Sequence, residues 1–146
     1  MRYQPLILLS IFHGEMLCLE KTITKKTGIC ELRDVGDDYW YSIIADFVVS
    51  KQKNVNFYNT VLTVTRVCSS EEIDAYFELV FTIAPTYCNS RVKYDTRACT
   101  PVTMEAIGKC LAYVIGDPPD QPRNVTHFAC VAPDEADTSL LPRPPH

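Results

Sequence analysis

Four cysteines in the second half of the chain, Cys88, Cys99, Cys110 and Cys130, stand 11, 11 and 20 residues apart. They follow one long helical pattern and one alternating strand pattern. In a chain of 146 residues this spacing reads as the frame of a small exported domain held by two short-range disulfides. Four cysteines allow three pairings, and the spacing does not choose among them.

The length accommodates one domain. With 47% hydrophobic and 22% charged residues the chain can bury a real core. Net charge is −4, and no basic run exceeds Lys25-Lys26. Nucleic acid needs clustered cations to neutralise phosphates, and an anionic membrane surface needs the same. Neither is an expected partner.

The chain begins Met1-Arg2-Tyr3-Gln4 and continues through the apolar run Pro5 to Phe12. A basic residue before a short apolar run is a secretory signal pattern, too short to span a bilayer. A signal peptide is therefore expected over residues 1–18, and secretion with it; the alternative is a buried N-terminal strand. Loss of Cys18 with the signal leaves six cysteines, an even number.

From Asp37 to Lys53 the apolar residues Trp40, Ile43, Ile44, Phe47 and Val48 recur at helical spacing, one continuous stripe. Asp37 and Asp38 suit the positive end of such a helix, and Lys51 and Lys53 its negative end. Asn59 to Cys68 is rich in Val and Thr and reads as a strand. Ile73 to Ala84 alternates, with Ile73, Ala75, Phe77, Leu79, Phe81 and Ile83 on one face and Val80 the exception on the other. Ser69-Ser70-Glu71-Glu72 lies between them as a polar hairpin loop. Residues 85–109 lack a period and predict a long excursion. Cys110–Ile115 and Val125–Val131 are two further short strands, joined by the proline-rich turn 116–122. Residues 131–146 carry four prolines and predict a disordered tail. One helix followed by an antiparallel meander is an α+β fold, the helix covering a sheet of four or five strands.

From Gly28 to Cys130 the chain resembles a secreted (type 2) cystatin. The resemblance rests on the helix core Ile44-Ala45-Asp46-Phe47-Val48-Val49, on the aromatic pair Tyr76-Phe77 and on Asn124-Val125-Thr126-His127-Phe128-Ala129-Cys130. That last segment is similar to the final strand of arthropod cystatins, which close on Val-Thr-x-Phe-x-Cys. Cathelicidin pro-domains share the fold but precede a cationic peptide, whereas the tail here is acidic and proline-rich. The resemblance implies a cystatin-like domain over 19–130 and the pairs Cys88–Cys99 and Cys110–Cys130. Cys30 and Cys68 are extra to the pattern. In the cystatin fold their places are neighbours, so a third bridge is expected there, against two free thiols or pairing with another chain.

The resemblance also implies where function sits. Cystatins block papain-like proteases with a preformed wedge of three parts: an arm around a glycine, a first loop with Gln-x-Val-x-Gly and a second with Pro-Trp. Here Gly28 matches the arm, Ser69, Ser70, Glu71, Glu72 and Ile73 the first loop, and Pro118-Pro119 the second. The first-loop signature is missing, and two carboxylates stand where neutral residues enter a cleft, at a desolvation cost. The second loop keeps a proline and lacks the aromatic anchor. The expected partners are papain-like (cathepsin-type) cysteine proteases, or another secreted protein recognised by a non-inhibitory scaffold. Asn54 and Asn56 occupy the loop through which some cystatins inhibit legumain. Asn124-Val125-Thr126 is an N-glycosylation sequon.

Catalysis has no constellation to support it. The three histidines are His13, His127 and His146. No Cys/His metal spacing or phosphate-binding glycine loop is present, and Glu71-Glu72 reads as a solvated turn. No metal and no cofactor are expected.

Overall fold

The structure, a computed structural model, describes residues 30–36, 39–70, 75–117 and 121–142. Its elements are β1 (Glu31–Arg33), α1 (Tyr39–Val49), β2 (Phe57–Ser70), β3 (Ala75–Asn89), β4 (Gly108–Asp117), β5 (Gln121–Val131) and a 3-10 turn, Asp137–Leu140. The five strands form one antiparallel sheet in the order β1-β2-β3-β4-β5.

The α1 stripe seats on this sheet much as its periodicity predicts. Ile44, Ala45, Val48 and Val49 are fully buried, while Trp40 and Phe47 pack at the margin. The stripe centres one residue later than the apolar pattern, leaving Ile43 half-buried. The helix is also shorter than the pattern. Its last turn tightens to i→i+3 bonds (Lys51 N to Val48 O, 3.0 Å), and the Gln52 amide closes it. Gln52 Nε2 donates to the carbonyls of Val49 (2.8 Å) and Asn59 (2.9 Å), tying the helix end to β2.

Alternation along β3 sends Phe77, Leu79, Phe81 and Ile83 to the helix face, where Cys110, Ala112 and Val114 of β4 meet them. Phe128 of β5 stacks on Phe81 at 6.3 Å. The intervening residues make a second, smaller cluster on the outer face: Val80, Leu111 and Tyr113, with Leu140.

Three expectations are corrected. The strand predicted to end at Ala84 runs on to Asn89. Pro85 fits because β4 begins opposite Ile83, so beyond that point β3 has no β4 neighbour to need an N–H. The excursion is therefore 90–107. It is held by Cys88–Cys99, by Tyr58 Oη donating to Ser90 O and Val92 O (3.1 and 2.9 Å), and by Val102 N donating to Pro85 O (2.8 Å). Of the turn predicted over 116–122, Gly116 and Asp117 belong to β4, and Gln121 and Pro122 to edge strand β5. Within the tail predicted to be disordered, residues 132–136 are exposed, but Asp137–Leu140 form a 3-10 turn whose Leu140 is fully buried on the outer face.

Three disulfides join Cys30 to Cys68, Cys88 to Cys99 and Cys110 to Cys130. Residues 1–29, with Cys18, His13 and the expected signal, lie outside the described residues, as do Asp37, Asp38 and His146. Among the described residues no helix is long and apolar enough to cross a membrane.

Candidate functional site

Strand register decides what can lie together at one edge. Glu31 pairs with Ser69, Ser70 with Tyr76, Ala75 with Gly116, and Asp117 with Gln121. The start of β1, the β2–β3 connection and the β4–β5 connection therefore share one end of the sheet. Three separate stretches of sequence converge there on a backbone fixed by ladder hydrogen bonds.

Of the residues read from the sequence as this edge, Gly28, Glu71, Glu72, Ile73, Pro118 and Pro119 lie outside the described residues. Ser69 and Ser70 belong to β2 rather than to the loop. Ser69 is buried, and its Oγ accepts a 2.7 Å hydrogen bond from Arg33 Nε. It serves to hold β1 against β2, and the ladder of β2 runs on to Ser70.

The chain reaching this edge is tethered. Cys30, immediately before β1, is bonded to Cys68, with Cα atoms 5.6 Å apart. A bridge of this kind contributes about 2–4 kcal/mol, mainly by restricting the unfolded chain. Here it also attaches a three-residue edge strand that has few contacts of its own. Beside it sits Glu78, only 3% exposed. Its carboxylate and the sulfurs of Cys30 and Cys68 lie within 4.8 Å of one another. Tyr76 Oη donates to Glu78 Oε1 at 2.9 Å. Burial, and secondly the Glu78 charge, push the Tyr113 phenol up to about 12.

Asn124 is exposed on β5, paired with Ile115 close to the 118–120 connection. Asn54 and Asn56 are exposed at the opposite end of the sheet, where Phe57 pairs with Asn89. Asn54 has a left-handed backbone (φ 60°), which Asn tolerates better than most residues. The two asparagine regions thus lie at different ends of the molecule.

Among the described residues His127 has no free thiol to activate, because the six described cysteines are all in disulfides. Its Nε2 lies 2.9 Å from Leu140 O and its ring 5.0 Å from Tyr113. Sequence reasoning missed Arg33, Glu78 and Tyr113 as an ensemble. Tyr76 and Glu78 fall on the polar side of the β3 alternation, but only the register reveals what they face.

A cavity of about 720 Å³ lies between α1 and the 93–97 segment, lined in part by Asp46, Phe47 and Tyr94. Burial raises the Asp46 carboxyl above its usual range, against hydrogen bonds to Thr96 and Tyr94 that lower it. This cavity is on the helix side, and Pro122 of β5, close to the 118–120 connection, is among its lining residues.

A helix laid across a five-stranded antiparallel meander, with disulfides at β3 and β4–β5, is the cystatin fold. Several solved structures of similar shape are cystatins. Mialostatin, a gut cystatin from the hard tick Ixodes ricinus, superposes with a TM-score of 0.66 at 24% identity, covering 73% of this chain and all of that one. A salivary cystatin from the soft tick Ornithodoros moubata gives 0.63 at 25% identity, covering 71% and 97%. In sequence, Cystatin-2 of Ornithodoros moubata is 28% identical over 89 residues, 60% of this chain and 70% of that protein. No family model matches the chain. The protein is cystatin-like in fold and in sequence, with its likeness directed to arthropod cystatins. That likeness supports a non-enzymatic protein.

Proposed function

We propose that the protein is a secreted inhibitor of papain-like cysteine proteases that acts by filling the catalytic cleft with the shared edge. The observation that carries this reading is the register, which brings the start of β1 and both hairpin connections to one end of the sheet. The likeness to tick cystatins supports an inhibitory role at the level of the family. In this reading the arm at Gly28, the first loop through Glu71, Glu72 and Ile73, and the second loop through Pro118 and Pro119 occlude the cleft without covalent chemistry. A preformed edge loses little conformational freedom on binding, and the Cys30–Cys68 bridge restricts the arm further.

The residues at the tips modify the reading. Two carboxylates in the first loop disfavour a dry cleft, and Pro118-Pro119 offers no aromatic anchor. These features favour a second reading, a non-inhibitory cystatin scaffold whose edge meets another secreted partner. A third surface, the exposed Asn54 turn, is the place from which legumain inhibition would act. On export, Asn124 is available for glycosylation beside the second loop.

The test is titration of the oxidised protein against papain and cathepsin L, with legumain assayed in parallel. The inhibitory reading predicts dose-dependent, reversible loss of papain or cathepsin activity. Full activity at micromolar protein sinks it. Replacing residues 69–73 by a Gln-x-Val-x-Gly sequence then separates a lost signature from a misplaced scaffold, since only the former gains inhibition from the graft.

A further inference from the structure

Sheets of this kind bury one face under the helix and leave the other to water. Here the outer face is not a solvated surface. Register aligns Cys68, Glu78, Tyr113 and His127 in one row across β2–β5, and Val80 beside Leu111 in the next. Val80, Leu111 and Tyr113 are nearly or fully buried, although α1 lies on the opposite side. What covers them is the segment after β5.

Three contacts of different kinds hold that segment. Leu140 inserts fully into the cluster of Val80, Leu111 and Tyr113, with Leu141 at its margin. Lys109, on β4, reaches Asp137 Oδ1 at 2.6 Å and donates to the Glu135 carbonyl. His127 Nε2 meets the Leu140 carbonyl at 2.9 Å. The connector, residues 132–136, is exposed throughout and adds little packing. A turn of four residues has no stability of its own, so its order derives from the surface beneath it.

We propose that the outer sheet face is a docking surface for a short acidic–leucine segment, and that residues 137–141 occupy it in cis as a releasable strap. Its apolar floor takes a leucine, Lys109 takes a carboxylate one turn earlier, and His127 meets the leucine's own carbonyl. The strap closes water away from Tyr113, one end of a row that continues through Glu78 to the Cys30–Cys68 bridge. An anchor of one buried leucine and one partly exposed ion pair is weak enough to open without unfolding the sheet. The surface is distinct from the hairpin edge, and its docking does not depend on protease binding.

The experiment is hydrogen–deuterium exchange on the full oxidised chain, native and Leu140→Asp, with tyrosine ionisation followed by ultraviolet absorbance. In the native protein the amides of Ser139 and Leu141, both hydrogen-bonded within the turn, should exchange at least tenfold slower than in an unstructured peptide. Leu140→Asp should bring them to the free rate, raise binding of an apolar dye, and move one tyrosine from about 12 toward its ordinary value near 10. A Tyr113→Phe background should abolish that last change. Free-rate exchange in the native chain overturns the proposal, as does a Leu140→Asp protein with unchanged protection and dye binding. Should Leu140→Asp fail to fold, Leu140→Ser reads the same quantities. A synthetic peptide of residues 136–142 added to the released variant should suppress dye binding saturably. No suppression at millimolar peptide removes the docking-surface claim, and the segment is then only a covalently held cover.

Discussion

The two faces of the sheet are built from alternate residues of the same strands and are closed in different ways. The inner face carries Phe77, Leu79, Phe81 and Ile83 and meets an eleven-residue amphipathic helix. The outer face carries Tyr76, Glu78 and Val80 and meets a strap that contributes Leu140 and, at the margin, Leu141. The inner closure is wide, apolar and continuous with the fold. The outer one is narrow, polar at its rim and added after the last strand. Buried area therefore ties the helix to global stability and leaves the strap to open on its own.

That contrast orders the expected effects of substitution. Phe81→Ala, at the fully buried centre of the inner face, should cost about 3–5 kcal/mol in denaturant unfolding. Removing the Cys30–Cys68 bridge by a double change to serine should cost about 2–4 kcal/mol. Faster amide exchange over 31–33, with β3 and β4 less affected, would show that the loss falls on the tethered arm. Leu140→Ala should cost less than a core leucine, at most roughly 1.5–3 kcal/mol, because the strap can detach once its docking energy is gone. A loss as large as that of Phe81→Ala would erase the distinction between the faces. Lys109→Ala removes a partly exposed ion pair, so about 0–1 kcal/mol is expected, shrinking with salt.

A pH experiment sharpens the inner side. Burial raises the folded-state pKa of Asp46, so over the window between its ordinary and raised values the native state holds more proton than the unfolded state. Stability from this group therefore falls as pH rises through that window. Asp46→Asn should become progressively less destabilising, relative to the native chain, as pH increases from 3 to 7. Melting temperatures at several pH values check this; a difference that moves the other way contradicts the assignment.

The same contrast explains what was legible in the sequence. Helix α1 and the core run of β3 could be read because burial against a large partner imposes a period on many residues. The continuation of β3 past Ala84 could not, since Pro85 reads as a break unless one knows that β4 stops opposite Ile83. Strand β1 is three residues without a pattern, and its place comes from Cys68, Ser69 and the ladder. The strap was hidden for a related reason. Two adjacent leucines among prolines and acids carry no periodic signal, and only their three-dimensional neighbours give them meaning. At the edge, the sequence located the three segments through resemblance, while their meeting at one end is a consequence of register.

The most direct test of the account is a hydrogen–deuterium exchange footprint of the oxidised protein with an excess of papain. The account predicts new protection confined to the arm before Arg33, to residues 69–76 and to residues 115–122, with the Asn54 turn and the strap unchanged. No protection anywhere, or protection centred on Asn54 or on 137–141, would contradict the claim that the shared edge is the working surface.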